Sequence, residues 1–128
     1  MTRESRGRSL LAGTMAMAIL AASVVTPPGD ATAGVGPFGL LGVDKWYHLL
    51  GYAGLGGVVA WAARPRTWQR AAAVVALVAG FGAGIELVQY TIPARAFDPT
   101  DGVVNAVGAM LGTGLWTVYA RVASSRST

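Results

Sequence analysis

Apolar residues gather in four long stretches, running from about Ser9 to Thr26, Trp46 to Ala63, Ala71 to Ile92 and Gly102 to Ala120, each closed off by charge or proline. A helix rises 1.5 Å per residue, so about 20 residues cross a hydrocarbon core about 30 Å thick. The pattern predicts an all-α membrane bundle of four transmembrane helices. Residues 1–8 lead into it, and residues 123–128 form a frayed polar tail. Pro27-Pro28 ends the first stretch, because consecutive prolines remove the backbone donors a helix needs. A Gly- and Pro-rich loop then runs on to Val43.

Composition supports lipid as the solvent. Only 12% of the 128 residues are charged and 53% are hydrophobic, with a mean hydropathy of +0.49, whereas soluble domains are about a quarter charged. Little of the chain remains for a soluble catalytic domain. The net charge of +4 raises the question of nucleic acid, but the basic residues form no face with interleaved aromatics. They sort instead by loop. Arg3, Arg6 and Arg8 precede the first stretch, Arg64, Arg66 and Arg70 separate the second from the third, and Arg121 and Arg126 follow the fourth. The remaining connecting segments hold only Lys45 and Arg95. This positive-inside bias predicts a multi-pass protein of the cell membrane with both termini cytoplasmic.

The basic start, apolar middle and Ala31-Thr32-Ala33 also fit a cleaved secretory signal peptide. The length of the apolar run and the distance of Ala-x-Ala beyond its end favour retention as a span. Either way, the remaining spans keep the same orientation. Small residues let helix backbones approach in lipid. Gly80 and Gly84 in the third span, Gly108 and Gly112 in the fourth, and Gly51, Gly54 and Gly57 in the second therefore predict close helix packing.

Candidate chemistry concentrates at one end of the bundle. Lys45, His48 and Tyr52 share a helical face at i, i+3 and i+7, with Asp44 one turn from His48. The plain reading makes Asp44 a helix-starting anion, Lys45 a snorkelling side chain and His48 a packing residue. Glu86 interrupts an otherwise uncharged span, which costs a few kcal/mol. It is expected to be protonated or paired with Lys45, His48 or Arg95, with Gln89 one turn outward on the same face. Asp98, Pro99 and Asp101 read as N-cap, N1 and N3 of the last helix. Asn105, one turn below Asp101, should face the bundle interior, since lipid would leave its amide unpaired.

The segments DKWYHLLGYAGLG, from Asp44 to Gly56, and IELVQYTIPARAFDPTDGVVNAVGAMLG, from Ile85 to Gly112, resemble the VanZ-like family of small bacterial and archaeal membrane proteins. The shared positions are Asp44, Lys45, His48, Glu86, Gln89, Arg95, Asp101, Asn105, Gly108 and Gly112. One departure is Ala94, where a glycine commonly precedes the loop arginine. The resemblance implies an envelope role connected with teicoplanin resistance, the trait that names the family, although the biochemical activity of most members is unassigned.

Three functions compete. The first is a binding or modulating protein whose outward-facing cluster, with Lys45 and Arg95 as cations, engages an anionic lipid or a lipid-linked wall precursor; its contacts would be Asp44, Lys45, His48, Glu86, Gln89, Arg95, Asp101 and Asn105. The second is an intramembrane enzyme using His48 with Glu86 or Asp101 as acid and base. It is less favoured because no activated nucleophile is evident. The third is a structural network serving a protein partner or a homo-oligomer. With one histidine and no cysteine, a dedicated zinc site is not expected, and neither metal nor cofactor is assigned. Magnesium between Glu86 and Asp101 is the one metal alternative.

Overall fold

The computed structural model describes residues 2–25, 34–92 and 98–126. Pro27-Pro28, Ala31-Thr32-Ala33, Ala94 and Arg95 lie outside the described residues. Four helices make up the architecture: α1 (Arg3–Val24), α2 (Val43–Ala63), α3 (Trp68–Tyr90) and α4 (Pro99–Ser125). Before α2, a short 3-10 turn at Pro37–Gly39 is closed by a single bridge between Val35 and Gly42.

Capping explains most of the boundaries. The Thr2 side chain accepts the Ser5 backbone N–H, so α1 begins six residues before Ser9, ahead of the apolar run. Gly42 caps α2 without a side-chain bond, and Asp44 lies in its first turn. At the other end of α2, Arg64 adopts a left-handed conformation (φ 49°) and its N–H bonds the Ala60 carbonyl. Pro65 follows and prevents continuation. Thr67 accepts from Arg70 N–H to start α3, and Asp98 accepts from Thr100 N–H to start α4, with Pro99 as its first residue. The last helix extends to Ser125, through residues read from sequence as a frayed tail. Ser124 and Ser125 hydroxyls donate to the Arg121 and Val122 carbonyls there.

Three helices, α1, α3 and α4, are long and apolar enough to cross a membrane. Many of their large apolar residues point outward, among them Leu10, Leu77, Leu87 and Leu115, as expected where lipid replaces water. Helix α2 is the less apolar one, with Asp44, Lys45 and His48 in its first turns. It touches the other three helices, and its contact with α4 is the most extensive in the bundle. Shielding by neighbours lets it carry polar groups that a lipid-facing helix would not tolerate.

Contact register sets the directions. Lys45 meets Asp101 and His48 meets Asn105, while Gly56 lies against Ala109 and Gly57 against Gly112. Helices α2 and α4 therefore run parallel. Helix α3 runs opposite to both, its Gly82 facing Tyr52 and Asn105. Helix α1 is antiparallel to α2, with Arg8 over the Trp61 ring and Met15 against Gly54. The result is an up-down-up-down bundle whose core joins Tyr52, Leu55, Val78 and Ala109.

Glycine packing differs between spans. A Cβ on Gly112 would collide with the Ala53 carbonyl, and one on Gly108 would lie 2.6 Å from the Leu49 carbonyl oxygen. Gly56 is equally constrained, its Cβ falling 2.7 Å from the Ala109 carbonyl oxygen. This is the close approach expected of small residues in lipid. Gly80, Gly84 and Gly51 depart from the expectation: a Cβ on any of them meets nothing within 4 Å. The spacing of Gly80 and Gly84 was right for a contact, but their face of α3 turns away from the other helices.

Candidate functional site

The first turns of α2 and α4 lie side by side, and the C-terminal half of α3 closes against them. Lys45 is the charged hub. Its ammonium donates to Asp98 at 2.6 Å, donates to Asp101 and pairs with Asp44 at 3.0 Å. An ammonium has three donors, and three carboxylates take them. Asp98, which a capping role alone would explain, thus has two tasks: it caps α4 and it binds Lys45.

The electrostatics follow from this geometry. Lys45 and Asp44 precede the apolar part of α2, and Asp98 precedes α4. Burial works against the Lys45 charge, but hydrogen bonds to Asp101, Asp98 and Asp44 outweigh it and raise its pKa above that of an ordinary lysine. Hydrogen bonds from Lys45 and Thr100 hold Asp98 well below the usual carboxylate range. For Asp44, desolvation pushes upward, but the bond and charge of Lys45 prevail and lower it.

One turn further in, His48 Nδ1 lies 2.9 Å from Asn105 Oδ1. A carbonyl oxygen accepts, so Nδ1 donates to it and Nε2 is the ring nitrogen left facing the site. That Nε2 faces Asp101 Oδ2 at 3.8 Å, while the other Asp101 oxygen binds Lys45. The Tyr52 ring stacks beneath His48, with centroids 6.4 Å apart and planes 9° apart. From α3, Glu86 reaches the same point: one ligand-type atom each from His48, Glu86 and Asp101 all lie within 4.8 Å of one another. Glu86 is 4% exposed and Asn105 1%. Glu86 Oε1, Asn105 Nδ2 and Tyr52 Oη are buried with no hydrogen-bond partner among the described residues.

Six of the eight residues singled out from sequence, Asp44, Lys45, His48, Glu86, Asp101 and Asn105, converge here. Gln89 does not. It is buried one turn beyond Glu86, but its amide donates to the Ser23 carbonyl of α1 at 2.8 Å. Arg95 lies outside the described residues. Two members were missed as site residues: Asp98, whose spacing of three from Asp101 puts both carboxylates on one side of the helix start, and Tyr52, already noted on the Lys45–His48 face.

Chemically, the cluster holds four carboxylates and one ammonium, a histidine whose Nε2 faces Asp101, and three buried polar atoms without hydrogen-bond partners among the described residues. Such a site suits a cationic or hydrogen-bonding group better than a bare anion. No curated protein and no solved structure matches the chain significantly. The family model described as VanZ/LLP1 matches residues 11–120, taking in α2 and α3, most of α1 and α4, and every residue of the cluster, so the chain belongs to the VanZ/LLP1 family.

Proposed function

We propose that this VanZ/LLP1 protein binds the polar headgroup of an envelope lipid or lipid-linked wall precursor at the cluster where α2, α3 and α4 meet. The carrying observation is that Glu86 Oε1, Tyr52 Oη and Asn105 Nδ2 lie buried between apolar helices without hydrogen-bond partners among the described residues. Leaving such groups unmet costs free energy, and a headgroup offering hydroxyl or amine groups would satisfy them. Lys45 does not serve as the anion clamp in this reading, because its donors are engaged by Asp44, Asp98 and Asp101. Any contact to phosphate falls instead to Arg95. The arginine distribution favours cytoplasmic termini and, with them, a cluster on the extracytoplasmic side, where wall precursors are used. Sequestering or masking such a precursor would link the protein to glycopeptide resistance.

The test is native mass spectrometry of the purified protein beside Glu86→Gln, Arg95→Ala and Arg66→Ala. A specific lipid retained by the wild type and by Arg66→Ala, but lost from the other two, supports the reading. Lipid profiles identical in all four, with every variant folded, would defeat it.

The gathering of His48, Glu86 and Asp101 within 4.8 Å favours a second reading, acid–base catalysis on the same bound headgroup. There, His48 Nε2 would take the proton of a water whose oxygen bonds to the centre carrying the leaving group, while Glu86, starting protonated, gives its proton to the leaving oxygen as that bond breaks. Turnover of a lipid-linked substrate that survives Glu86→Gln would remove it.

A further inference from the structure

We propose that His48 Nε2, Glu86 and Asp101 bind one divalent transition-metal cation, Zn2+ or Mn2+, that ties α2, α3 and α4 together at the head of the site. Sequence alone assigns no metal and leaves magnesium between Glu86 and Asp101 as the one alternative, since one histidine and no cysteine do not build a zinc site of the usual sulfur and nitrogen kind. The fold adds what sequence could not supply, a ligand from each of three helices aimed at one point.

Three observations carry the assignment. First, the donor set is one imidazole and two carboxylates, a mixed nitrogen and oxygen set that suits borderline divalent metals. Second, the ligands are prepared for it. Asn105 Oδ1 accepts from His48 Nδ1 at 2.9 Å, which fixes the tautomer and aims Nε2 inward; metal-bound histidines are held this way by a neighbouring acceptor. Asp101 is oriented likewise, one oxygen on Lys45 and the other toward His48. Third, Glu86 is 4% exposed and its Oε1 has no partner among the described residues. A buried carboxylate without a donor calls for a cation or a proton. Lys45 is already engaged by three acids, which leaves Glu86 without an ammonium of its own.

Three protein ligands leave further coordination positions for water or for an oxygen of a bound headgroup. Tyr52 Oη and Asn105 Nδ2, both buried without a hydrogen-bond partner among the described residues, could bond such a water or oxygen. The metal assignment does not depend on the headgroup reading, because the three ligands belong to the protein alone.

The experiment uses full-length protein in detergent, purified through a tag without histidine, stripped with a chelator and titrated with Mn2+ under electron paramagnetic resonance. The wild type is expected to take up one equivalent that Zn2+ displaces. Pulsed measurements should show nitrogen coupling from an imidazole, and His48 is the chain's single histidine. His48→Gln and Glu86→Gln should weaken binding at least about tenfold, Asn105→Ala by about 10- to 100-fold through loss of the orienting acceptor, and Arg66→Ala not at all. Failure to bind stoichiometrically, or bound Mn2+ without nitrogen coupling, overturns the proposal; the wild-type spectrum decides even if the variants misfold. Lipid retention measured on the same metal-free protein tests the headgroup reading separately, so either idea can fail alone.

Discussion

Gln89, buried near the C-terminal end of α3, donates its side-chain amide to the Ser23 carbonyl in the last turn of α1 at 2.8 Å. Ser23 is near the end of its helix, where carbonyls lack intrahelical donors, so this bond fastens α1 to the rest of the bundle. Substituting Gln89→Leu is expected to weaken the attachment by about 0.6 to 1.5 kcal/mol. The check is thermal unfolding in detergent together with the rate of proteolysis within the first 25 residues. Unchanged proteolysis in that variant would show that α1 is held without this bond, by its other contacts such as Arg8 over Trp61 and Met15 against Gly54.

Gly112 and Gly84 should respond in opposite ways to the same substitution. A Cβ at Gly112 runs into the Ala53 carbonyl, whereas one at Gly84 meets nothing within 4 Å. Gly112→Ala must force α2 and α4 apart, with a cost of about 1 to 3 kcal/mol. Gly84→Ala should leave the melting temperature unchanged or slightly raised. Equal melting temperatures for the two variants would contradict the α2–α4 packing described above.

The ion cluster predicts a broad stability plateau in pH. Asp98 has a folded pKa below its ordinary value, so its contribution is complete above an unfolded carboxylate pKa of about 3.9 and fades as pH falls through the lower folded value. Lys45 has a folded pKa above its ordinary value. Its contribution is complete below an unfolded lysine pKa of about 10.4 and fades only as pH rises through the higher folded value. Melting temperature should therefore be flat in this respect between about pH 4 and pH 10. Lys45→Met, which leaves three carboxylates facing one another, should lower it across the whole plateau and more than Asp98→Asn does. A variant as stable as the wild type at pH 7 would mean that the cluster contributes nothing to folding.

Orientation can be read from single cysteines, since the chain has none of its own. With the polar cluster outside, Leu40→Cys, 77% exposed before α2, should react with an impermeant maleimide in intact cells. Gln69→Cys, exposed at the start of α3, should react only after the membrane is opened. The reverse pattern would invert the topology and move the cluster to the cytoplasm.

Helix number and approximate extent were legible in the sequence because apolar runs and their charged or proline borders are local signals. So was the start of α4, where Asp98, Pro99 and Asp101 occupy the N-cap, N1 and N3 positions read for them. Asn105 was placed inside on the cost of burying an amide in lipid, and it is 1% exposed. Long-range partners were not legible. Lys45 read as a snorkelling side chain because its three acids lie in two separate segments, and Gln89 gave no sign of turning to α1 rather than to Glu86. Gly80 and Gly84 misled because glycine spacing marks a smooth face without saying whether another helix covers it.

The parallel course of α2 and α4 has a consequence for the acids themselves. Backbone dipoles in a helix add to roughly half a positive charge at its amino-terminal end, and here two such ends lie side by side beneath Asp44, Asp98 and Asp101. The main chain therefore supplies a second, fixed source of positive potential that no side-chain substitution removes. An antiparallel α2–α4 pair would have set one positive and one negative end beneath the same carboxylates. Helix direction thus sets Asp44, Asp98 and Asp101 on favourable amino-terminal ends, while α1 and α3 bring their carboxyl-terminal ends to the same side of the bundle.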